Sequence, residues 1–101
     1  MAILETMTFR LRPVGDEESF VLADKNLQSD FAYQQPGLVR RTTARGEGDR
    51  AGEWIVVDLW ETAEAADAAA DRWNESLIAQ AFMAFVDPDS VDIRRYRDLE
   101  S

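Results

Sequence analysis

Two absences bound the chemistry this chain can do. It has no Cys and no His among 101 residues. Disulfides, thiolate zinc sites and a cysteine nucleophile are therefore excluded. A Ser-His-Asp triad and an axial histidine for haem are excluded as well. Carboxylate-only metal sites survive, although no metal is expected. Without His, acid–base work near neutral pH has lost its usual carrier. What remains is carboxylates, arginines and aromatic rings. Glu5 is the most conspicuous carboxylate. Ile3, Glu5, Met7, Phe9 and Leu11 alternate along one run, and only Glu5 is not apolar, so it sits on a core-facing strand surface. Arg40, Arg41 and Arg45 cluster in one later segment, and Arg94, Arg95 and Arg97 in another. On sheet edges, such residues either discourage non-specific strand pairing or join Glu5, Asp58 and Asp92 in an intersubunit ion network. That network would set register more than it adds stability.

The charge balance narrows the partners. Acids number 20 against 11 bases, a formal charge of -9. Such a chain repels phosphate backbones and anionic membrane surfaces, so neither nucleic acid nor membrane is expected. The acid excess reads as solubility, since most of it falls on helix surfaces. No apolar run approaches the roughly 20 residues that span a bilayer. The start, Met1-Ala2-Ile3-Leu4-Glu5, lacks the basic and apolar parts of a signal peptide. A cytoplasmic location is expected. The length suits one domain, residues 1–101, and the 46% hydrophobic fraction is ordinary for a globular protein.

The elements that must position these groups follow from periodicity. Residues 2–12 read as a strand ended by Pro13, with Leu4, Thr6, Thr8 and Arg10 on its second face. Gly15 and Asp16 open a helix whose acidic first turn suits the helix dipole. Its apolar stripe is Phe20, Ala23, Leu27 and Phe31, with Asp24, Lys25, Gln28 and Asp30 largely elsewhere. The helix ends near Tyr33, before Pro36-Gly37. Residues 38–45 form a second strand. Gly46, Gly48, Asp49 and Gly52 mark a hairpin loop. Residues 53–60 form a third strand, with Ile55, Val57 and Leu59 on one face and Trp54, Val56, Asp58 and Trp60 on the other. Thr62 caps a helix bearing Ala65, Ala66, Ala69, Ala70 and Trp73 on its apolar face. Its alanines predict a close approach to the sheet. After a break at residues 74–76, a shorter helix carries Leu77, Ile78, Ala81, Phe82 and Phe85. Asp87-Pro88-Asp89 stops it, and residues 90–97 form the last strand.

Two successive strand-helix-strand units predict an α+β, ferredoxin-like four-stranded antiparallel sheet with helices on one face. Right-handed crossovers put the first and third strands at the centre. The third strand is apolar on both faces, and one helical layer covers only one of them. A second copy of the sheet is the simplest cover, so a homodimer forming a dimeric α/β barrel is expected.

With these elements in order, the sequence resembles the antibiotic-biosynthesis monooxygenase-like members of the dimeric α/β-barrel superfamily. The resemblance rests on Gly15 before the first helix and on Pro36-Gly37-Leu38 entering the second strand. It rests also on Asp58-Leu59-Trp60-Glu61-Thr62 leading into the Ala-rich helix, and on Ala81-Phe82-Met83-Ala84-Phe85 before the last strand. It implies a dimer closed by strand exchange, with a pocket between helices and sheet in each subunit. Some members oxidise aromatic polyketides without metal or flavin, and others bind and degrade haem. The haem branch needs an Asn on the first strand, a Trp on the second helix and a His beyond it. Trp73 fits the Trp, but no His exists and the first strand offers Glu5, Thr6 and Thr8, so haem degradation is rejected. Met83 reads as a core-filling residue.

The cofactor-free branch implies a dry pocket with aromatic walls and a proton acceptor or anion-stabilising Arg. Trp60, Trp73, Tyr33, Phe82 and Phe85 are its candidate walls. Glu5 is the candidate general base, because burial raises a carboxylate's pKa toward neutrality. Arg40 or Arg95 would hold a substrate anion, and no cofactor is expected. The loop Tyr33-Gln34-Gln35 and Asn74 lie where sites are often bordered, or where turns simply pack. Two readings follow. A cofactor-independent monooxygenase acting on a small aromatic or polyketide-like molecule predicts an enclosed aromatic pocket with one unpaired polar group. A non-catalytic small-molecule-binding or accessory module predicts a pocket collapsed by Phe82, Met83 and Phe85, or a Glu5 already saturated by Arg.

Overall fold

The strands are β1 (Ile3–Arg10), β2 (Leu38–Arg45), β3 (Glu53–Trp60) and β4 (Asp92–Arg97). In the computed structural model, which describes residues 1–13 and 15–100, they form one antiparallel sheet in the order β2-β3-β1-β4. Helices α1 (Glu17–Asp30), α2 (Ala63–Trp73) and α3 (Leu77–Met83) pack on one face. The ferredoxin-like arrangement with β1 and β3 central is the predicted one. Each helix begins at a side-chain cap: the side chains of Asp16, Thr62 and Ser76 accept from the backbone N–H of Ser19, Ala65 and Ala79 at 2.6, 3.1 and 3.2 Å. Such caps satisfy donors that the first helical turn leaves free.

Several expectations shift by local chemistry. β1 stops at Arg10, and Leu11 makes only an isolated bridge to Val86. α1 ends at Asp30, and a 3-10 turn over Ala32–Gln34 carries the chain to Gln35. α3 ends at Met83, so Phe85 belongs to the following turn rather than to a helical stripe. With Ser76 as its cap, Leu77 is the first helical residue and points outward, 78% exposed, while Ala79 and Phe82 are buried. Asp24 is the larger surprise. It lies on the inner side of α1, 9% exposed, beside Phe20 and Leu27, because a buried arginine meets it there.

The core divides into two clusters. Phe9, Phe20 and Phe82 are almost wholly buried, with ring centroids 5.3–5.9 Å apart, and Trp54 packs edge-on to Phe20 at 4.9 Å. The second cluster is thinner: Trp60 under Ala66 and Ala69. Trp54, Val56 and Trp60 are thus buried beneath the chain's own helices. The opposite sheet face, with Leu4, Ile55, Val57 and Leu59, is half-buried and carries no helix among the described residues.

α2 sets Ala66 and Ala69 against Trp60, the close approach its alanines predict. Its N-terminal end comes close to the chain at Gly37, where a Cβ would stand 2.5 Å from the Cβ of Ala65 and φ is +90°. Both facts call for glycine at that position. At the other end, Trp73 packs edge-on to Phe31 and Phe82 at 5.7 and 6.0 Å. The short side chains of Ala66, Ala69 and Ala70 leave a cavity between this helix and the strands.

Candidate functional site

Strand register lines up four charged side chains. Arg41 of β2 stands opposite Asp58 of β3, Asp58 opposite Glu5 of β1, and Glu5 opposite Arg95 of β4. Cross-strand partners share a face, and this row lies on the helix side. It reads cation, anion, anion, cation. A further carboxylate reaches each arginine from a helix. Arg41 Nη2 donates to Asp24 Oδ1 of α1 at 2.8 Å, and Arg95 Nη1 donates to Asp67 Oδ1 of α2 at 2.7 Å. Of the pairs that the sequence allows between subunits, Glu5 with Arg95 and Asp58 with Arg41 form within one chain. Asp92 likewise pairs with Arg94, at 2.9 Å.

The two ends of the row differ. Arg95 Nε donates to Glu5 Oε2 at 2.8 Å, so Glu5 is satisfied. Arg41 Nε stands 3.8 Å from Asp58 Oδ1, close enough for attraction and too far for a hydrogen bond. Asp58 Oδ1 is buried with no hydrogen-bond partner among the described residues. Two residues along the same strand and on the same face, the Trp60 indole N–H is also buried and unpartnered. Leaving such groups unpaired costs about 1–3 kcal/mol each. An adjacent orphan donor and orphan acceptor therefore suit a ligand that both accepts and donates.

These atoms belong to the floor of a cavity of about 450 Å³ between α2 and the sheet. Met7, Val56, Asp58 and Trp60 form the sheet side, and Ala66, Ala69, Ala70 and Trp73 the helix side. Phe31, Gln35, Asn74 and Met83 close the end toward the aromatic cluster, while Ile93 and Arg95 stand on the β4 edge. The volume is that of a small-molecule site, apolar with a few placed polar groups.

Burial pushes the Asp58 carboxyl up from 3.8 to about 6. Arg41 pulls it down, while Glu5 and Asp24 push it further up. Loss of hydration is the main cause, because a dry site disfavours the charged form. The result is a carboxylate whose proton comes and goes near neutral pH, facing aromatic walls. At the opposite end of the row, the hydrogen bonds that Arg95 donates to Glu5 and Asp67 raise it above its ordinary value.

No protein-family model matches the sequence, and no curated protein matches it significantly. Solved structures do match. SnoaB, a cofactor-independent oxygenase from Streptomyces nogalater, superposes with TM-score 0.77 at 20% identity, over 99% of this chain and 95% of that one. The chain has the ferredoxin-like fold of the antibiotic-biosynthesis monooxygenase-like proteins. A provisionally assigned antibiotic biosynthesis monooxygenase from Caulobacter crescentus CB15 gives TM-score 0.76 at 15% identity, over 97% of this chain and 90% of that one. A conserved protein from Methanosarcina mazei Go1 gives 0.73 at 15% identity, over 96% and 92%.

On this ferredoxin-like fold, the residues singled out from sequence separate into two groups. Glu5, Trp60, Trp73 and Arg95 line the cavity. Arg40 does not, because a bulge at Val39 turns it to the open sheet face. Tyr33 stays outside, and its hydroxyl accepts from Arg41 N at 2.8 Å and fixes that strand. Phe82 is consumed by the aromatic core, and Phe85 packs over Gly15. From sequence, Asp58 and Arg41 read as members of an ion network, not as residues of the cavity. The signal for Asp58 was present: it is the lone charge among Trp54, Val56 and Trp60, the pattern that drew attention to Glu5. Among the described residues, no group of three or more His, Cys, Asp or Glu could hold a metal, and no helix is long and apolar enough to cross a membrane.

Proposed function

We propose that this protein is a cofactor-independent oxygenase that takes a small aromatic, phenolic or polyketide-like molecule into the cavity beneath α2. The observation that carries this reading is the Asp58 carboxyl, titrating at about 6, whose buried Oδ1 and the nearby Trp60 N–H have no hydrogen-bond partner among the described residues, on an apolar, aromatic-walled floor. Asp58 would take a proton from the substrate, and Trp60 would hydrogen-bond the oxygen on which negative charge collects. The electron-rich anion passes one electron to dioxygen, and the radical pair closes to a carbon-bound hydroperoxide. Loss of water then leaves a carbonyl. A methylene and dioxygen become a carbonyl and water, with all electrons drawn from the substrate. Arg95, tied to Glu5 and Asp67, lines the cavity on its β4 side and would steady the charge of the substrate once Asp58 has taken its proton.

Oxygen uptake over a panel of hydroquinones and anthrone-like phenols tests this. Uptake should rise as pH passes about 6 and Asp58 ionises. Asp58→Asn should lower it by about 10²-fold or more, the usual contribution of a placed base. Tight binding across the panel with no uptake would favour the non-catalytic module instead, a reading that the hydrogen-bonded Glu5–Arg95 pair supports.

We also propose a homodimer closed through the open sheet face. Half-buried Leu4, Ile55, Val57 and Leu59 support it, since they form an apolar strip that no helix covers. Light scattering should give about twice the chain mass of 11.5 kDa, and a monomer at micromolar concentration would contradict the proposal.

A further inference from the structure

Arg41 is the better buried of the two arginines in the row, 6% exposed, and almost every donor it has is already committed. Its Nη2 donates to Asp24 at 2.8 Å, and its Nη1 donates to Gln28 Oε1 and Thr43 Oγ1 at 3.3 and 3.2 Å. Thr43 Oγ1 also donates to Asp24 Oδ1, at 3.0 Å, and the guanidinium lies 5.9 Å from the centroid of Phe82. Only Nε is turned toward Asp58, and at 3.8 Å it makes no hydrogen bond. Two buried carboxylates thus compete for one cation, and α1 holds the winner.

We infer that Asp24, which does not itself line the cavity, is a positioning residue: by fixing Arg41 toward α1 it withholds that cation from Asp58 and leaves the cavity carboxylate able to accept a proton. The inference rests on the reading of Asp58 as proton acceptor and adds the device that sets it. Geometry alone gives the asymmetry. Arg95 has the same pair of options, a strand carboxylate and a helix carboxylate, and hydrogen-bonds both. Arg41 bonds the helix carboxylate only. The remaining groups around Asp58 leave Asp24 as the adjustable one. Glu5, directly opposite on β1, is held by Arg95 of β4. α2 contributes Ala66, Ala69, Ala70 and Trp73 above the floor, and its Asp67 is engaged with Arg95.

Two charge-changing substitutions of nearly unchanged shape test this by opposite signs. Asp24→Asn removes the competitor, so Arg41 serves Asp58 alone and the Asp58 pKa should fall by about one unit. Gln28→Glu adds a competitor at Arg41 Nη1 on the half-buried face of α1, and the Asp58 pKa should rise by about half a unit. The readout is the Asp58 side-chain carboxyl ¹³C shift, followed through a pH titration of the ligand-free protein. If Asp24→Asn fails to fold, Gln28→Glu still decides, because a rise is required of it. Shifts of opposite sign support the inference when the Arg41 Nε–H resonance of Asp24→Asn also moves downfield as it bonds Asp58; a stationary Nε–H means direct repulsion from position 24 and overturns it. No shift, or shifts in the same direction, overturn it, since a purely structural role would move both variants alike by wetting the site. The titration needs no turnover, so absence of oxygen uptake would sink the oxygenase reading and leave this result standing.

Discussion

Arg41 and Arg95 face the same problem at opposite edges of one sheet, and they solve it differently. Each is offered a carboxylate by the next strand inward and another by a helix. Arg95 is at the rim, its side chain 36% exposed, and it hydrogen-bonds Glu5 and Asp67 together. Arg41 is under α1, its side chain 3% exposed, and it hydrogen-bonds Asp24 while Asp58 is left short. Water at the rim makes the outer pair cheap to form and weak. Dryness under the helices makes every inner partner matter and every missing one costly. The same charge pattern therefore gives a structural clamp at one end and a proton-exchanging carboxyl at the other.

The sharpest way to break this contrast is to remove each arginine. Arg41→Met should destabilise the protein by about 3–5 kcal/mol at neutral pH, because Asp24 and Asp58 are left buried without a cation. Denaturant unfolding that shows Arg41→Met no more harmful than Arg95→Met would erase the distinction. The next effect lies in pH. The folded pKa of Asp58, about 6, stands above its ordinary 3.8. Stability is therefore fully present below about pH 4, falls as pH rises through 6, and stays lower above. Linkage puts the loss at about 3 kcal/mol. Asp58→Asn should be more stable than the parent at pH 8 by about that amount and equal to it near pH 4, as read from urea midpoints across pH.

A smaller effect sharpens the inner end. Trp60→Phe keeps most of the ring packing and deletes the orphan N–H. The unliganded protein should keep its stability or gain slightly, while phenol affinity measured by calorimetry should fall by about 1 kcal/mol. Equal affinity would remove Trp60 from the site. The smallest effect belongs to the rim: Arg95→Gln should change stability by less than about 1 kcal/mol, and the change should shrink with added salt. A large, salt-independent loss would make the rim as critical as the interior.

Much of the fold was legible because its signals are local. Trp54, Val56, Asp58 and Trp60 alternate with Ile55, Val57 and Leu59, and that period is written into any strand. The helix starts at Asp16 and Thr62 are equally local, whereas the Ser76 cap reads only as a break. The site was half legible. Glu5 stood out as a charge in an apolar row, and Asp58 carried the same mark among larger neighbours. Arg41 could not be separated from Arg40, because a bulge at Val39 decides which of the two turns inward. Asp24 looked like an outward helix charge, since its inward place depends on an arginine from another strand. The cavity was not legible from the alanines: Ala66 and Ala69 reach Trp60 as short side chains can, and the space left beside them depends on which residues the strands place opposite.

By itself the sequence determined the order of strands and helices, which faces are apolar, and the absence of any histidine or cysteine chemistry. Those properties depend on composition and on periods spanning a few residues. Only the tertiary structure decided which charges meet. The row Arg41, Asp58, Glu5, Arg95 exists because three strand registers agree, and Asp24 joins it because α1 crosses above β2 at that point. Contacts between segments far apart in the chain carry no mark in either segment alone. The proton affinity of Asp58 depends on how much water those contacts exclude.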